Sequence, residues 1–215
     1  MSYIVTAIIA YLIGSVSFSV IFTKKFAGFD VREKGSGNAG STNVLRTAGK
    51  KPAALTLLCD ILKGVVAVGI AILIGLIVKA DDNTKAILVQ LAGIFVVVGH
   101  TYPIFFGFRG GKGVATALGV LLITNWQIGL ICLLFALIIM AVFKIVSLGS
   151  IAAAILFPVL CMFLTQHFIV HGSTLSYIVF GIVMAAIVVF NHRANIKRMA
   201  TGTENKLSFS EKKHN

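Results

Sequence analysis

Residues 113–143 read GVATALGVLLITNWQIGLICLLFALIIMAVF, thirty-one positions without an Asp, Glu, Lys or Arg. A helix crosses a bilayer with about 20 apolar residues. The stretch is therefore long for one crossing and short for two. Thr124-Asn125-Trp126-Gln127 interrupts it with polar side chains beside an aromatic of the type that favours the membrane interface. Read as one span, it puts everything downstream on the opposite side of the membrane from where a hairpin would put it. The hairpin reading leaves 113–124 short for a full crossing.

Outward from this stretch the pattern repeats. Hydrophobic runs near 3–23, 53–78 and 86–106 precede it, and runs at 147–166 and 174–192 follow. No charge occurs in 1–23, 86–108 or 145–192. The chain of 215 residues is 58% hydrophobic and 12% charged, about half the charge of a soluble domain. Its mean hydropathy is +0.98. These values describe one polytopic membrane domain over 1–215, with 203–215 expected as a flexible cytoplasmic tail. The first run lacks a basic leader and a small-x-small cleavage site, so it reads as a retained span and not a signal peptide.

Charge assigns the sides. The segment 24–52 carries seven basic residues (Lys24, Lys25, Arg32, Lys34, Arg46, Lys50 and Lys51) against Asp30 and Glu33. The connection 79–85 has no net charge, and six basic residues follow position 192. Basic segments stay in the cytoplasm, so the first loop and the tail share a side. Three crossings return the chain to that side at Arg109 and Lys112, and an even number must follow. The hairpin at 124–127 supplies it, placing Lys144 inside and 167–173 outside. The expected fold is an all-α integral membrane protein of about seven transmembrane helices, N-terminus outside and C-terminus cytoplasmic.

The net charge of +12 then belongs to cytoplasmic loops and to anionic lipids or substrates, and no nucleic-acid partner is expected. Cys59, Cys132 and Cys161 lie in apolar runs and read as packing residues. The acidic residues Asp30, Glu33, Asp60, Asp81, Asp82, Glu204 and Glu211 form no His-x-x-x-x-Asp pair and no metal-ligand spacing. No metal or cofactor is expected.

Three polar segments fall on the cytoplasmic side of this topology. The first is Gly35-Ser36-Gly37-Asn38-Ala39-Gly40-Ser41-Thr42-Asn43, followed by Arg46. Glycines permit close backbone approach, hydroxyls and amides supply neutral hydrogen bonds, and Arg46 can clamp a phosphate with its planar fork. Asn43 or Thr42 can also cap a helix carrying Arg46. The plain alternative is a flexible linker.

The second is Gly99-His100-Thr101-Tyr102-Pro103, continuing to Arg109-Gly110-Gly111-Lys112-Gly113-Val114-Ala115-Thr116. Consecutive glycines ahead of a helix expose backbone N–H groups, and the helix N-terminus adds positive potential. This is a phosphate cradle in physical terms. It is not a Walker A loop, because Gly113 stands where Ser or Thr is required. Its plain alternative is a basic interfacial turn.

The third is Asn191-His192-Arg193-Ala194-Asn195, with Gly202, Glu204 and Lys206 beyond. Asn191 and Asn195 are four apart on one helix face. A snorkelling helix end explains the basic residues but not the asparagines. Two shorter features accompany these three. Asp60 and Lys63, at the expected start of the second span, pair at i,i+3, and read equally as a structural ion pair or a pocket wall. Ser147-Leu148-Gly149-Ser150 follows Lys144.

In order and spacing, these motifs resemble those of the bacterial acyl-phosphate:glycerol-3-phosphate acyltransferases, integral membrane enzymes. The resemblance spans nearly the whole chain. It rests on Gly35-Ser-Gly-Asn-x-Gly-x-Thr-Asn43, on Gly99-His-x-x-Pro103 with Gly110-Gly-Lys-Gly-Val-Ala-Thr116, and on Asn191-His-x-x-Asn195 with Gly202-x-Glu-x-Lys206. Asp60-x-x-Lys-Gly64 and Ser147-Leu-Gly-Ser150 also fit. One departure is Ser17, where relatives often carry proline, which affects local helix shape.

The resemblance implies transfer of a fatty acyl group from acyl phosphate to the 1-hydroxyl of glycerol 3-phosphate. The products are lysophosphatidic acid and phosphate, made at the cytoplasmic face in phospholipid synthesis. It also implies a functional link to the enzyme that makes acyl phosphate, with membrane lipids as surroundings. Under it Ser36, Asn38, His100 and His192 are the catalytic candidates, with His100 an acid/base. Gly37, Gly40, Thr42, Asn43, Arg46, Lys63, Gly110, Gly111, Lys112, Gly113, Thr116, Ser147, Asn191 and Asn195 are the substrate-binding candidates. Asp60 and Glu204 are structural, Glu204 pinning the tail to a cation. The competing reading is a small transporter for an anionic, phosphate-bearing solute, and a purely structural membrane subunit is a third. Against the transporter, 79–86 and 166–173 carry no outer-face counterpart of the motifs.

Overall fold

The computed structural model describes residues 1–206. Among them are ten α-helices and three short 3₁₀ turns, with no strand. The helices are α1 (Ser2–Gly14), α2 (Phe18–Ala27), α3 (Ser41–Ala48), α4 (Lys50–Ile77), α5 (Asp82–Thr101), α6 (Val114–Thr124), α7 (Trp126–Phe143), α8 (Val146–Leu164), α9 (Thr174–Asn191) and α10 (Arg193–Ala200). Six continuous or near-continuous segments are long and apolar enough to cross a bilayer, and α6 is a shorter apolar helix beside them. The turn expected at 124–127 is present, with α6 and α7 as its two limbs.

α5 occupies the middle of the bundle and packs against α1, α4, α6 and α9, while α7 and α8 extend the sequence outward. Lipid tails are as apolar as leucine, so helix association in a membrane relies on close van der Waals approach at small residues. Glycines supply it here. A Cβ on Gly14 would lie 2.2 Å from the Val96 carbonyl oxygen, and one on Gly99 2.2 Å from that of Tyr11, which joins α1 to α5. Gly64 and Gly119 do the same for α4 and α6, against the carbonyls of Thr116 and Ile61. Gly64, part of a motif, is thus accounted for by packing.

Two expectations are corrected in detail. The run 3–23 is not one helix: α1 ends at Gly14 and α2 begins at Phe18. Gly14, Ser15 and Ser17 are weak helix formers, and the Ser15 hydroxyl bonds back to the Tyr11 carbonyl at 2.8 Å. The break forms without the proline. Asp60 likewise lies ten residues inside α4, about 15 Å along it at 1.5 Å per residue, and not at the helix start.

The short helix α6 has a structural counterpart. Its eleven residues rise about 16 Å, half of the roughly 30 Å hydrocarbon thickness. The segment after α8 folds inward to meet its end. Ile169 N–H donates to the Thr124 carbonyl at 2.8 Å, and the Asn125 amide donates to the Leu164 carbonyl at 3.0 Å. Asn125 also caps α7 through Ile128 N–H. The polar break read from sequence is a capped turn sealed by the opposite loop.

Candidate active site

All three polar segments converge at one end of the bundle on a cavity of about 840 Å³. Its polar end is built from the first segment, the second segment and α10; its apolar end runs between α6, α7, α8 and α9.

The first segment is held by Asn43. Its amide donates to the carbonyls of Val31, Lys34 and Asn38 at 3.0–3.1 Å, and its Oδ1 accepts from Ser36 N–H at 2.9 Å. Asn43 thereby organises the loop, and it also lines the cavity, with one Oδ1 lone pair not taken by Ser36. Neither Asn43 nor Thr42 caps α3, since Gly40 occupies that position. Ser36, Gly37, Asn38, Gly40, Thr42 and the exposed Arg46 line the cavity. Arg32 fastens this loop to the second segment through the Phe106 carbonyl at 2.6 Å and is held in turn by Asp30. That guanidinium lowers the Asp30 carboxyl to about 2.

In the second segment Gly113 takes φ +86° as the N-cap of α6, a conformation that favours glycine. Gly110, Lys112 and Gly113 face the cavity. Gly111 does not. A Cβ there would fall 2.1 Å from His100 Nε2 and 2.7 Å from the Ala39 carbonyl, so it is the spacer that lets the two loops close. The α6, α3 and α8 N-termini all meet the cavity wall. Their unpaired N–H groups give that end a positive potential without a mobile charge.

Lys112 Nζ donates to Asn195 Oδ1 at 2.5 Å. Burial pulls its ammonium down to about 8, with Glu204 opposing and the cations Arg198 and Arg46 adding to the fall. Glu204 accepts from Ser147 Oγ at 2.9 Å, Asn195 Nδ2 at 2.6 Å and Arg198 Nε at 2.7 Å. Burial works against its ionisation, but those three donors hold it below the ordinary carboxylate range. Glu204 thereby pins residues beyond α10 to Arg198 and also lines the cavity. Of the segment 203–215, positions 207–215, including Glu211, lie outside the described residues.

His192 is 2% exposed, and its Nδ1 stands 2.8 Å from the Val188 carbonyl. A carbonyl only accepts, so Nδ1 carries the proton and Nε2 is left with a lone pair. Burial and the nearby Lys112 cation hold this imidazole at about 4, only partly opposed by the Val188 bond, so it is neutral near pH 7. Asn191 donates to Thr101 Oγ1 at 3.3 Å and lines the cavity with Asn195.

Asp60 and His100, with Lys63 beneath them, form the polar floor below this wall. Lys63 Nζ is 2.9 Å from Asp60 Oδ1 and donates to the Gly14 and Val16 carbonyls at the α1–α2 break. At 4% exposed and outside the cavity lining, it is a strut and not the substrate contact expected. Thr116, 0% exposed and packed under α4, is also absent from the lining. Asp60 and His100 do reach the cavity, and their side chains approach to 3.5 Å. Forty residues separate them, on the consecutive helices α4 and α5, so no spacing rule reveals this His/Asp proximity.

Sequence reading also left out the apolar end. Leu118 and Leu121 of α6, Ala136 and Met140 of α7, and Met184 and Val188 of α9 face it. On α8 the lining residues Ser147, Ser150, Ala154 and Phe157 follow at steps of three or four. Three small side chains and then a buried phenyl, edge-on to Phe180 at 5.7 Å, make a shaft with a closed end. That small-residue stripe was the available signal, and it is also the ordinary signature of helix packing.

Comparison with known proteins follows the same lines. The family model described as glycerol-3-phosphate acyltransferase matches residues 4–202. A glycerol-3-phosphate acyltransferase of Clostridioides difficile (strain 630) is 45% identical over 206 residues, covering 96% of each chain. One from Thermoanaerobacter sp. (strain X514) is 46% identical over 204 residues, covering 95% of each. The crystal structure of PlsY (YgiH), an integral membrane glycerol 3-phosphate acyltransferase, in its glycerol 3-phosphate form superposes with a TM-score of 0.81 at 37% identity. It covers 97% of this chain and 96% of that one. Its lysophosphatidic acid form gives 0.80 at 36% identity, with the same coverage. The chain belongs to the glycerol-3-phosphate acyltransferase family.

Proposed function

From that membership we propose that the cavity transfers a fatty acyl group from acyl phosphate to the 1-hydroxyl of glycerol 3-phosphate. The observation that carries this reading is the union of two unlike ends in one cavity. Cations and backbone N–H groups at one end suit the phosphates of both substrates, and the shaft suits an acyl chain. From Ser147 to Phe157 the shaft descends about 15 Å, the rise of ten helical residues.

Acyl phosphate is a mixed anhydride with a good leaving group, so alignment and charge stabilisation carry most of the work. Lys112, Arg46 and the α6 N-terminus hold the phosphates. His192 Nε2 accepts a hydrogen bond from the attacking hydroxyl and orients it. With its imidazole at about 4, it is too weak a base to keep the proton. The hydroxyl oxygen bonds to the acyl carbon, the bond from that carbon to the phosphate oxygen breaks, and the departing phosphate takes the proton. Ser36, Asn38 and Thr42 hydrogen-bond around the acyl phosphate. Ser147 joins them through its lone pairs, since its own proton is given to Glu204.

We place the site at the cytoplasmic face, on the same side as the basic 24–52 segment. Cysteine introduced at Asn83 should accept an impermeant label from outside the cell, and at Thr203 only after permeabilisation. The reaction itself is tested with purified protein and glycerol 3-phosphate. Lysophosphatidic acid should form with acyl phosphate and not with acyl-CoA as sole donor; comparable rates with both would overturn the donor assignment.

A further inference from the structure

Lys63 Nζ has four neighbours: the Gly14 carbonyl at 3.1 Å, the Val16 carbonyl at 3.0 Å, His100 Nδ1 at 2.8 Å and Asp60 Oδ1 at 2.9 Å. The carboxylate beside it keeps it an ammonium, which offers three hydrogens and no lone pair. The two carbonyls can only accept and take two of them. A contact of 2.8 Å between two nitrogens needs one donor and one acceptor, so the third hydrogen goes to Nδ1. Asp60 Oδ1 then holds its place by charge alone, and it is indeed a fully buried oxygen with no aligned donor.

An imidazole that accepts at Nδ1 carries its proton on Nε2. A doubly protonated ring would press one N–H donor against another at 2.8 Å. Nε2 lies at the other edge of the ring, against Gly111, in the loop that carries Gly110 and Lys112. Among the described residues Nε2 has no hydrogen-bond partner, although His100 lines the cavity. A donor placed there, next to a cradle of N–H groups and a lysine, points at negative charge.

We infer that Lys63 fixes His100 as the Nε2–H tautomer, so that His100 donates a hydrogen bond to an anionic oxygen of the bound substrates and is not a general base. Lys63 is the positioning residue and His100 the contact. This rests on the acyl-transfer reading above. It also gives the two cavity histidines opposite tautomers: His192 presents a lone pair from Nε2, His100 a proton from Nε2.

Nitrogen-15 NMR of the purified protein labelled at histidine reads the tautomer directly, independently of activity. His100, assigned through His100→Gln, should show an unprotonated Nδ1 and a protonated Nε2 across the neutral range. A protonated Nδ1 in the wild-type protein overturns the inference whether or not any Lys63 variant folds. Catalysis is read in a second pair. His100→Gln carries an N–H to the Nε2 position but no basic nitrogen, and should retain at least about a tenth of kcat. His100→Leu should lose roughly a hundredfold or more, the usual loss for one oxyanion donor. If folded Gln and Leu variants fall equally, His100 is not acting as a donor. If the wild-type protein forms no lysophosphatidic acid from acyl phosphate, the acyl-transfer reading fails while the tautomer assignment stands.

Discussion

Two lysines of this protein sit next to motif glycines and close to one cavity, yet their surroundings differ. Lys63, under the floor, faces Asp60, two backbone carbonyls and His100, and its hydrogens are consumed by the protein. Lys112, in the wall, has one short bond to Asn195 and otherwise faces the cavity. The acceptors around each cation decide its role. Where a broken helix leaves carbonyls unpaired, a buried ammonium is spent on them. Where α6 begins, the neighbours are N–H donors, and the ammonium keeps hydrogens for a ligand.

The floor should fail by unfolding. Lys63→Met leaves Asp60 buried without a counter-charge, which costs about 3–5 kcal/mol. Thermal melts in detergent should show that loss, and the double variant Asp60→Leu, Lys63→Met should recover much of it because no unpaired charge remains. A single variant as stable as wild type would show that the ion pair contributes nothing to the floor.

The wall should respond to pH. Lys112 titrates at about 8 in the folded protein, so its charge is present below that value and lost as pH rises through it. The KM for glycerol 3-phosphate should climb above pH 8, by up to about tenfold per unit, the full weight of one titrating group. Bound phosphate raises the lysine's own pKa, so kcat should fall at higher pH than kcat/KM does. A flat KM through this range would place Lys112 with Lys63 as a structural cation.

Effects in the shaft should be smaller and graded. Phe157→Ala deepens it and Ala154→Phe shortens it. Chain-length preference should move up and down respectively, by about fourfold per methylene, from roughly 0.8 kcal/mol per buried CH₂. KM for glycerol 3-phosphate should stay constant. Unchanged preference in both variants would put the acyl chain elsewhere.

How much of this was legible in the sequence follows from the range of the interactions. The helices, the hairpin at 124–127 and the gathering of the motifs at one end depend on hydropathy and charge bias, which are properties of consecutive residues. The break at Gly14–Ser17 was masked because its residues are uncharged and the surrounding run is strongly apolar. Asn43 illustrates the limit within a motif: its residue type suits binding, and only the fold shows that three carbonyls already occupy its amide. The Asp60–His100 approach and the Arg32 bridge to Phe106 join separate segments, so no local pattern encodes them.

The most direct measurement of the central claim is the catalytic efficiency of Lys112→Ala, with its melting temperature recorded alongside. Removing one charge-assisted contact, about 1.5–3 kcal/mol, predicts a ten- to hundredfold loss in kcat/KM for the phosphate-bearing substrates. Lys112→Arg should restore only part of it, because a planar fork does not reproduce a compact charge. Stability should be unchanged or slightly raised, since burial disfavours this ammonium. Lys24→Ala removes an equal charge from an exposed side chain 3.7 Å from Asp30, which keeps Arg32 as its partner, and should be nearly silent. Full efficiency of Lys112→Ala at limiting glycerol 3-phosphate and at limiting acyl phosphate would contradict the account and leave Lys112 an ordinary membrane-side anchor.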